Sequence, residues 1–318
     1  MFTTQNTANI TEQIVYSAGL QQSMQQNILG FGLFNDVTSD FPTGITYTVD
    51  QVGDVLLQAY SENSDIQFSS VDTGRITLEV TDYDQAAFYI TDQTRQDSGK
   101  ADRFFAINVA SAMRKFEEKM ESDIFAQQKQ QTPGDENKIN RQPHRFVLAA
   151  NASASDIEDL FADMKLSLDK ANMPDMNRLA IVDGTVENVL NKGDKVKVAE
   201  NPQYQGIINT GFVQNHRFVR NIYGFDIYTS NLLAEVSGET VGGTAISGSQ
   251  IGVANLAMYV GDSEFLPFMG VIRQPPTPEF ERNVKKKRDE WSATSRWGFA
   301  LQRPESLIVF ITQFQSAS

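Results

Sequence analysis

Residues 100–130 contain neither glycine nor proline, and Phe105, Val109, Ala112, Phe116, Met120 and Ile124 recur there every three or four positions. That spacing puts these apolar side chains on one stripe of an α-helix. Arg114, Lys115, Glu117, Glu118 and Glu121 fall mostly off the stripe. At 1.5 Å per residue, the helix predicted from Lys100 to Gln130 is about 46 Å long. Gly99 precedes it and Pro133-Gly134 closes it. With no internal glycine or proline, any bend has to be imposed from outside.

The segment before the helix reads as a β-ribbon. Ile45, Tyr47 and Val49 alternate with polar residues, and so do Ile76, Leu78 and Val80. A period of two marks a half-buried strand. Between them, Tyr60 to Gly74 is polar and turn-rich. Two strands of roughly 10 residues reach about 30 Å. A lone two-stranded ribbon is marginally stable in water, so one this long implies packing against something else, such as another subunit. Further upstream, Met1 to Asn35 is rich in Gln, Asn, Ser and Thr, with Ile10, Ile14, Val15 and Ala18 near helical spacing. It reads as a short helix on an extended polar arm.

Beyond the helix the elements are shorter and mixed. Arg145 to Ala149 reads as a strand, and Ser155-Asp-Ile-Glu158 as a capping box that opens a second helix, ended by Pro174. Leu179 to Val182, Phe225 to Thr229 and Leu256 to Val260 read as strands, and Val186 to Leu190 as a short helix. Ser237 to Gly252, rich in Gly and Ser, reads as a flexible loop. The tail runs through Val284 to Arg288, Trp297 to Leu301 and Leu307 to Ile311.

The chemistry available is narrow. The 318 residues include no cysteine and two histidines, His144 and His216, so disulfides and thiolate metal sites are excluded. No phosphate-binding loop, dinucleotide fingerprint or zinc-protease motif occurs, and Gly248-Ser249 lacks the flanks of a nucleophile elbow. Asp82 and Asp84 lie two apart in a strand and read as solvated carboxylates. No stretch is long and apolar enough to span a bilayer, and the start lacks a basic-then-apolar secretory pattern. The formal net charge of −13 argues against a surface built to grip nucleic acid. If the protein encloses DNA, that charge keeps the polymer off the wall. The densest positive cluster is Lys285-Lys286-Lys287-Arg288.

The order of parts (polar arm, long ribbon, uninterrupted helix, mixed region with a Gly-rich loop, returning strands) resembles the Hong Kong 97-type major capsid family of tailed bacteriophages. Three stretches carry the resemblance beside that order. They are the helix leading through "ANMPDMNRLAIVD" into a strand, "IYGFDIYTSNLL" (Ile222 to Leu233), and "ALQRPESLIVFITQ" (Ala300 to Gln313). The resemblance implies an α+β capsid fold. Its parts would be an N-terminal arm (1–42), an E-loop (43–98), a P domain with a spine helix (99–152), an A domain (153–275) and returning P-domain strands (276–318).

It implies a non-enzymatic shell subunit without cofactor or metal, assembling in the host cytoplasm with itself into pentamers and hexamers of an icosahedral virion head around double-stranded DNA. Expected partners are a separate scaffolding protein, because no long charged region precedes the ribbon, a portal protein and a decoration or cement protein, with no membrane. The alternative within the fold is an encapsulin-type bacterial nanocompartment shell. An acidic α+β enzyme and a tail or decoration protein fit less well. Intersubunit contacts are expected from the acidic ribbon residues Glu62, Asp65 and Asp72, from Arg75, and from basic groups at Arg114, Lys115, Lys285, Lys286, Lys287 and Arg288. Some relatives weld subunits through a ribbon lysine, but this chain has no lysine before Lys100.

Overall fold

The computed structural model describes residue 29, residues 32–52, 73–98, 101–149, 152–192, 218–246 and 251–313, and positions 59, 62 and 65. Most of the polar arm with its expected helix, most of the ribbon tip including Asp72, and His216 lie outside the described residues.

In chain order, β1 (Phe34–Asp36) leads to the ribbon strands β2 (Thr46–Val52) and β3 (Thr73–Glu79), then to β4 (Asp82–Thr91), helix α1 (Asp92–Asp97) and the long helix α2 (Ala101–Ala126). The pair β5 (Lys138–Ile139) and β6 (Gln142–Pro143) precedes β7 (Arg145–Leu148), α3 (Ala154–Lys170), β8 (Arg178–Val182) and α4 (Gly184–Lys192). There follow β9 (Phe218–Ile222), β10 (Phe225–Thr229), β11 (Glu235–Val236), β12 (Thr240–Val241), β13 (Thr244–Ala245) and β14 (Gly252–Tyr259). The chain returns through β15 (Phe268–Asn283), β16 (Arg288–Leu301) and β17 (Leu307–Gln313).

One sheet has the order β1-β15-β16-β4, the other β7-β17-β14-β8-β10-β9 with β11 on β14. The first sheet carries α2. Strand alternation turns Phe88 of β4 and Trp291 and Trp297 of β16 toward the helix stripe. The Phe88 ring lies 5.0 Å from Trp291 and 5.2 Å from Phe105, and Phe116 meets Trp297 edge-on at 6.5 Å. Met120, Ile124 and Trp297 are fully buried. Trp297 also donates from Nε1 to Asp123 at 3.1 Å, so the indole's one polar group is satisfied inside the core. The apolar stripe read from the sequence is therefore the face that holds α2 against the sheet.

The second sheet packs on α3 and α4. Ile157, Phe161, Met164 and Leu168 meet Phe225, Ile227 and Phe310 in one core. All of β14 is buried, which its near-continuous apolar sequence requires.

Two local expectations change. The capping box of α3 sits two residues upstream of Ser155 and Glu158. Ser153 is the N-cap, its hydroxyl accepting from the Asp156 amide while the Asp156 carboxylate accepts from the Ser153 amide at 2.7 Å. Ser153 has the extended backbone that a cap needs, whereas Ser155 already lies in the first turn.

Part of the glycine-rich stretch is ordered: β12 and β13 pair as a hairpin, with Gly242 and Gly243 at φ 59° and 77° in its turn. Adjacent left-handed residues are what a two-residue hairpin turn demands, so here the glycines shape a tight turn. Residues 247–250 of that stretch lie outside the described residues. β15, a strand not expected from the sequence, runs through Pro275, Pro276 and Pro278 with shifts of register at Ile272/Gln274 and Gln274/Thr277.

Candidate assembly surfaces

Among the described residues, the ribbon is tied down at its root. Val37, Phe41, Leu78, Val80, Met269, Val271 and Ala300 form a separate small core there. The Arg273 guanidinium stacks 4.4 Å above the Phe41 ring and donates to the carbonyls of Phe41 and Gly44. A Cβ on Gly298 of β16 would stand 2.3 Å from the Glu79 carbonyl oxygen and 2.8 Å from the Val80 Cα. The ribbon thus leaves the sheet by passing directly over a glycine.

β2 and β3 then pair over seven residues, Thr46↔Glu79 to Val52↔Thr73. Arg75 spans them to Asp50 at 3.1 Å, with both side chains about 70% exposed (70% and 71%). A pair so exposed contributes about 0–1 kcal/mol, leaving both charges available to a partner. Glu62 and Asp65 are exposed, and Asp72 lies outside the described residues.

The basic cluster forms the turn of the β15–β16 hairpin. Lys285, Lys286 and Lys287 are exposed, and among the described residues none forms an ion pair. Arg288 differs, bonding Glu290 at 2.5 Å and lying 4.2 Å above the Tyr89 ring. The turn is anchored by a charge network that the sequence reading missed. Arg282 donates to Asp92 at 2.6 Å and to Asp289 at 2.8 Å, and Arg95 pairs with Asp289. The bonds from Arg282 hold the Asp92 and Asp289 carboxyls below the usual carboxylate range. These partners are spread from residue 92 to residue 289, with no local pattern to reveal them.

On α2, Arg114 pairs with Glu117 at 3.7 Å and Glu118 at 4.0 Å, and Lys115 with Glu118 at 2.6 Å. Both basic groups therefore have carboxylates on their own helix. Among the described residues, no ion pair joins Glu62 or Asp65 to Arg114, Lys115 or the Lys285–Arg288 turn.

A third feature pins the β12–β13 hairpin. Glu239 accepts from Arg145 through both carboxylate oxygens, and from the Gly134 amide at 2.8 Å. Gln128, just past α2, accepts from the same guanidinium at 3.0 Å. Asp135 accepts from the Gly242 amide at 2.6 Å. The Arg145 and Glu239 side chains are only 3% and 9% exposed. Burial by itself would raise the Glu239 carboxyl; the Arg145 guanidinium and Gly134 amide outweigh it and hold the group below its ordinary range.

His144 is fully buried, its Nδ1 3.2 Å from the Gln142 carbonyl oxygen, and burial pushes its pKa down. This is a structural histidine, in which burial outweighs the nearby Glu305 carboxylate. Among the described residues no group of three or more His, Asp or Glu side chains is placed to hold a metal, and no helix is long and apolar enough to cross a membrane.

A long hairpin-and-helix arm, a projecting ribbon and a second α/β unit define a shell-building subunit of the Hong Kong 97-like type. The sequence model of the phage capsid protein family matches residues 75–310, and the chain belongs to that family: it is the major capsid protein of a phage head. Similar solved structures include one from Mycobacterium phage Che8, at 18% identity and TM-score 0.67, covering 93% of this chain and 95% of that one. The capsid of cyanophage P-SCSP1u matches at 13% identity and TM-score 0.68, covering 96% and 94%. The mature capsid of bacteriophage PhiM1 matches at 13% and 0.66, covering 94% and 91%. Among curated proteins, none matches the chain.

Proposed function

We propose that this subunit assembles with itself into the pentamers and hexamers of an icosahedral head that encloses double-stranded DNA, held together without covalent links. The observation that carries this reading is the ribbon, anchored at its root by Arg273 and the passage over Gly298, with its exposed charged strands uncovered among the described residues. Burial against a neighbour would supply what an isolated two-stranded ribbon lacks.

The acidic residues Glu62, Asp65 and Asp72, with Arg75 beside them, would lie on the adjacent subunit. Their counter-charges would be Arg114 and Lys115 of α2 or the turn Lys285, Lys286, Lys287 and Arg288. The proposed divisions are the arm to residue 42, the E-loop over 43–98, P-domain parts over 99–152 and 276–318, and the A domain over 153–275. The Ser237 to Gly252 segment, which includes the β12–β13 hairpin, would sit near the ring centre. Assembly would take place in the host cytoplasm with a separate scaffolding protein, a portal and a decoration or cement protein, and the net negative charge would keep the packaged DNA from adhering to the wall.

The experiment is deletion of Ser61 to Gly74. The expected outcome is a folded monomer that forms no shells in electron micrographs, and normal shells from the deletion would sink the reading.

The non-covalent part has its own test. The ribbon has no lysine amine, a guanidinium stays protonated and is a poor nucleophile, and cysteine is absent. Mature particles on a denaturing gel without reductant should give a single band near 35.5 kDa. A ladder of covalent oligomers would contradict it.

A further inference from the structure

We propose that the Lys285–Lys287 turn of one copy seats in an acidic groove on the β4–β16–β15 sheet of a second copy. The inference rests on the shell-subunit reading and names a specific contact within it.

The groove has a volume of about 650 Å³. Its floor follows from the register: Ala87 of β4 pairs with Ser292 of β16, which pairs with Glu279 of β15. Two positions along, Tyr89 pairs with Glu290, which pairs with Glu281. Alternation places these six side chains on the face opposite α2. Two small residues side by side leave a trough, walled by three carboxylates, Tyr89 and Arg288, whose guanidinium lies over the Tyr89 ring.

The charges in the trough are unequally satisfied. Glu290 accepts from Arg288 at 2.5 Å and from Asn283 at 3.0 Å. Glu279 and Glu281 are exposed, and among the described residues neither has a hydrogen-bond or ion-pair partner. A trough with two unmatched carboxylates fits a lysine. Its alkyl stem would lie along the floor of Ala87 and Ser292, with the ammonium between the Glu279 and Glu281 carboxylates.

The same chain presents the complement. Lys285, Lys286 and Lys287 crown the hairpin turn, whose shape is set by Lys287 at φ 50°, and Val284 beside them is 65% exposed. Among the described residues, no ion pair joins this turn to Glu279 or Glu281. Each copy thus carries one donor turn and one acceptor groove. A turn-to-groove contact is heterologous, so repetition closes a ring or extends a lattice. A single such contact is small and weak, but many acting together are not.

The test is a charge swap, read as particle yield by electron microscopy in cells carrying the phage's other head genes. Reversing all three lysines to glutamate should lower yield at least about tenfold through loss of a repeated contact. Glu279→Lys with Glu281→Lys should do the same, and the five changes together should restore particles. Matching thermal melts of the purified subunits would separate these effects from misfolding. Normal yield from the lysine variant, or no rescue in the combined variant, overturns the groove contact. So does rescue of the lysine variant by Glu62→Lys with Asp65→Lys, which would assign the turn to the ribbon tip. A wild-type chain that forms no particles in the same cells overturns the capsid reading and the contact with it.

Discussion

Glu239→Ala is expected to destabilise the subunit by about 3–5 kcal/mol, the cost of leaving one partner of a buried ion pair uncompensated. The stranded group is the Arg145 guanidinium, 3% exposed, which would keep only the Gln128 carbonyl oxygen as a partner among these contacts. Urea unfolding of the purified subunit would measure the loss. Changing both members, with Arg145→Met and Glu239→Leu, removes the stranded charge and should cost less than the single change. If the single change is as mild as a surface substitution, the pair is not buried as described.

The pH dependence has a definite sign. The carboxyl of Glu239 is held below its value in the unfolded chain, so the unfolded chain takes up the proton first as pH falls. The stabilisation is complete above the ordinary glutamate range and is lost as pH drops through the depressed folded value. In acid the β12–β13 hairpin is then expected to loosen from Arg145 of β7 and from Gly134.

Gly298→Val is expected to cost at least about 3 kcal/mol and to abolish shells. Overpacking usually costs about 1–3 kcal/mol, and here the obstacle is the backbone of Glu79 and Val80, not a side chain that can turn away. Either β3 lifts off β16, moving the root of the ribbon, or the sheet distorts beneath it. Gly184→Ala is the matched control. A Cβ there meets nothing within 4 Å, so that variant should melt and assemble as wild type. Particles of normal yield from Gly298→Val would mean that the ribbon does not need its seat.

The sequence pointed to part of the assembly surface. It singled out Lys285, Lys286 and Lys287 by charge density, and the structure places them on an exposed turn. It did not distinguish them from Arg288, Arg114 and Lys115, which have carboxylates of their own chain within 4.0 Å. Nor did it find Glu279 and Glu281 as unmatched charges, because what marks them is the satisfied state of the neighbouring Glu290. The β15 strand was also hidden. Three prolines within four residues argue against a strand, since each lacks a ladder donor. Here β1 covers only Phe268–Gly270, so beyond that point β15 is an edge and only one of its sides has to bond.

By itself the sequence determined the local, periodic part of this protein: the buried stripe of α2, the pairing of β2 with β3, and a ribbon without an amine for covalent linkage. These follow from spacing within a few residues or from composition, which need no knowledge of distant contacts. Only the tertiary structure decided that Arg145 meets Glu239, 94 residues away, that Gly298 lies under Glu79, and that Arg282 ties Asp92 to Asp289. A buried charge pair or a close backbone approach depends on which remote segment occupies the other side, and the intervening chain carries no periodic signal of that partner.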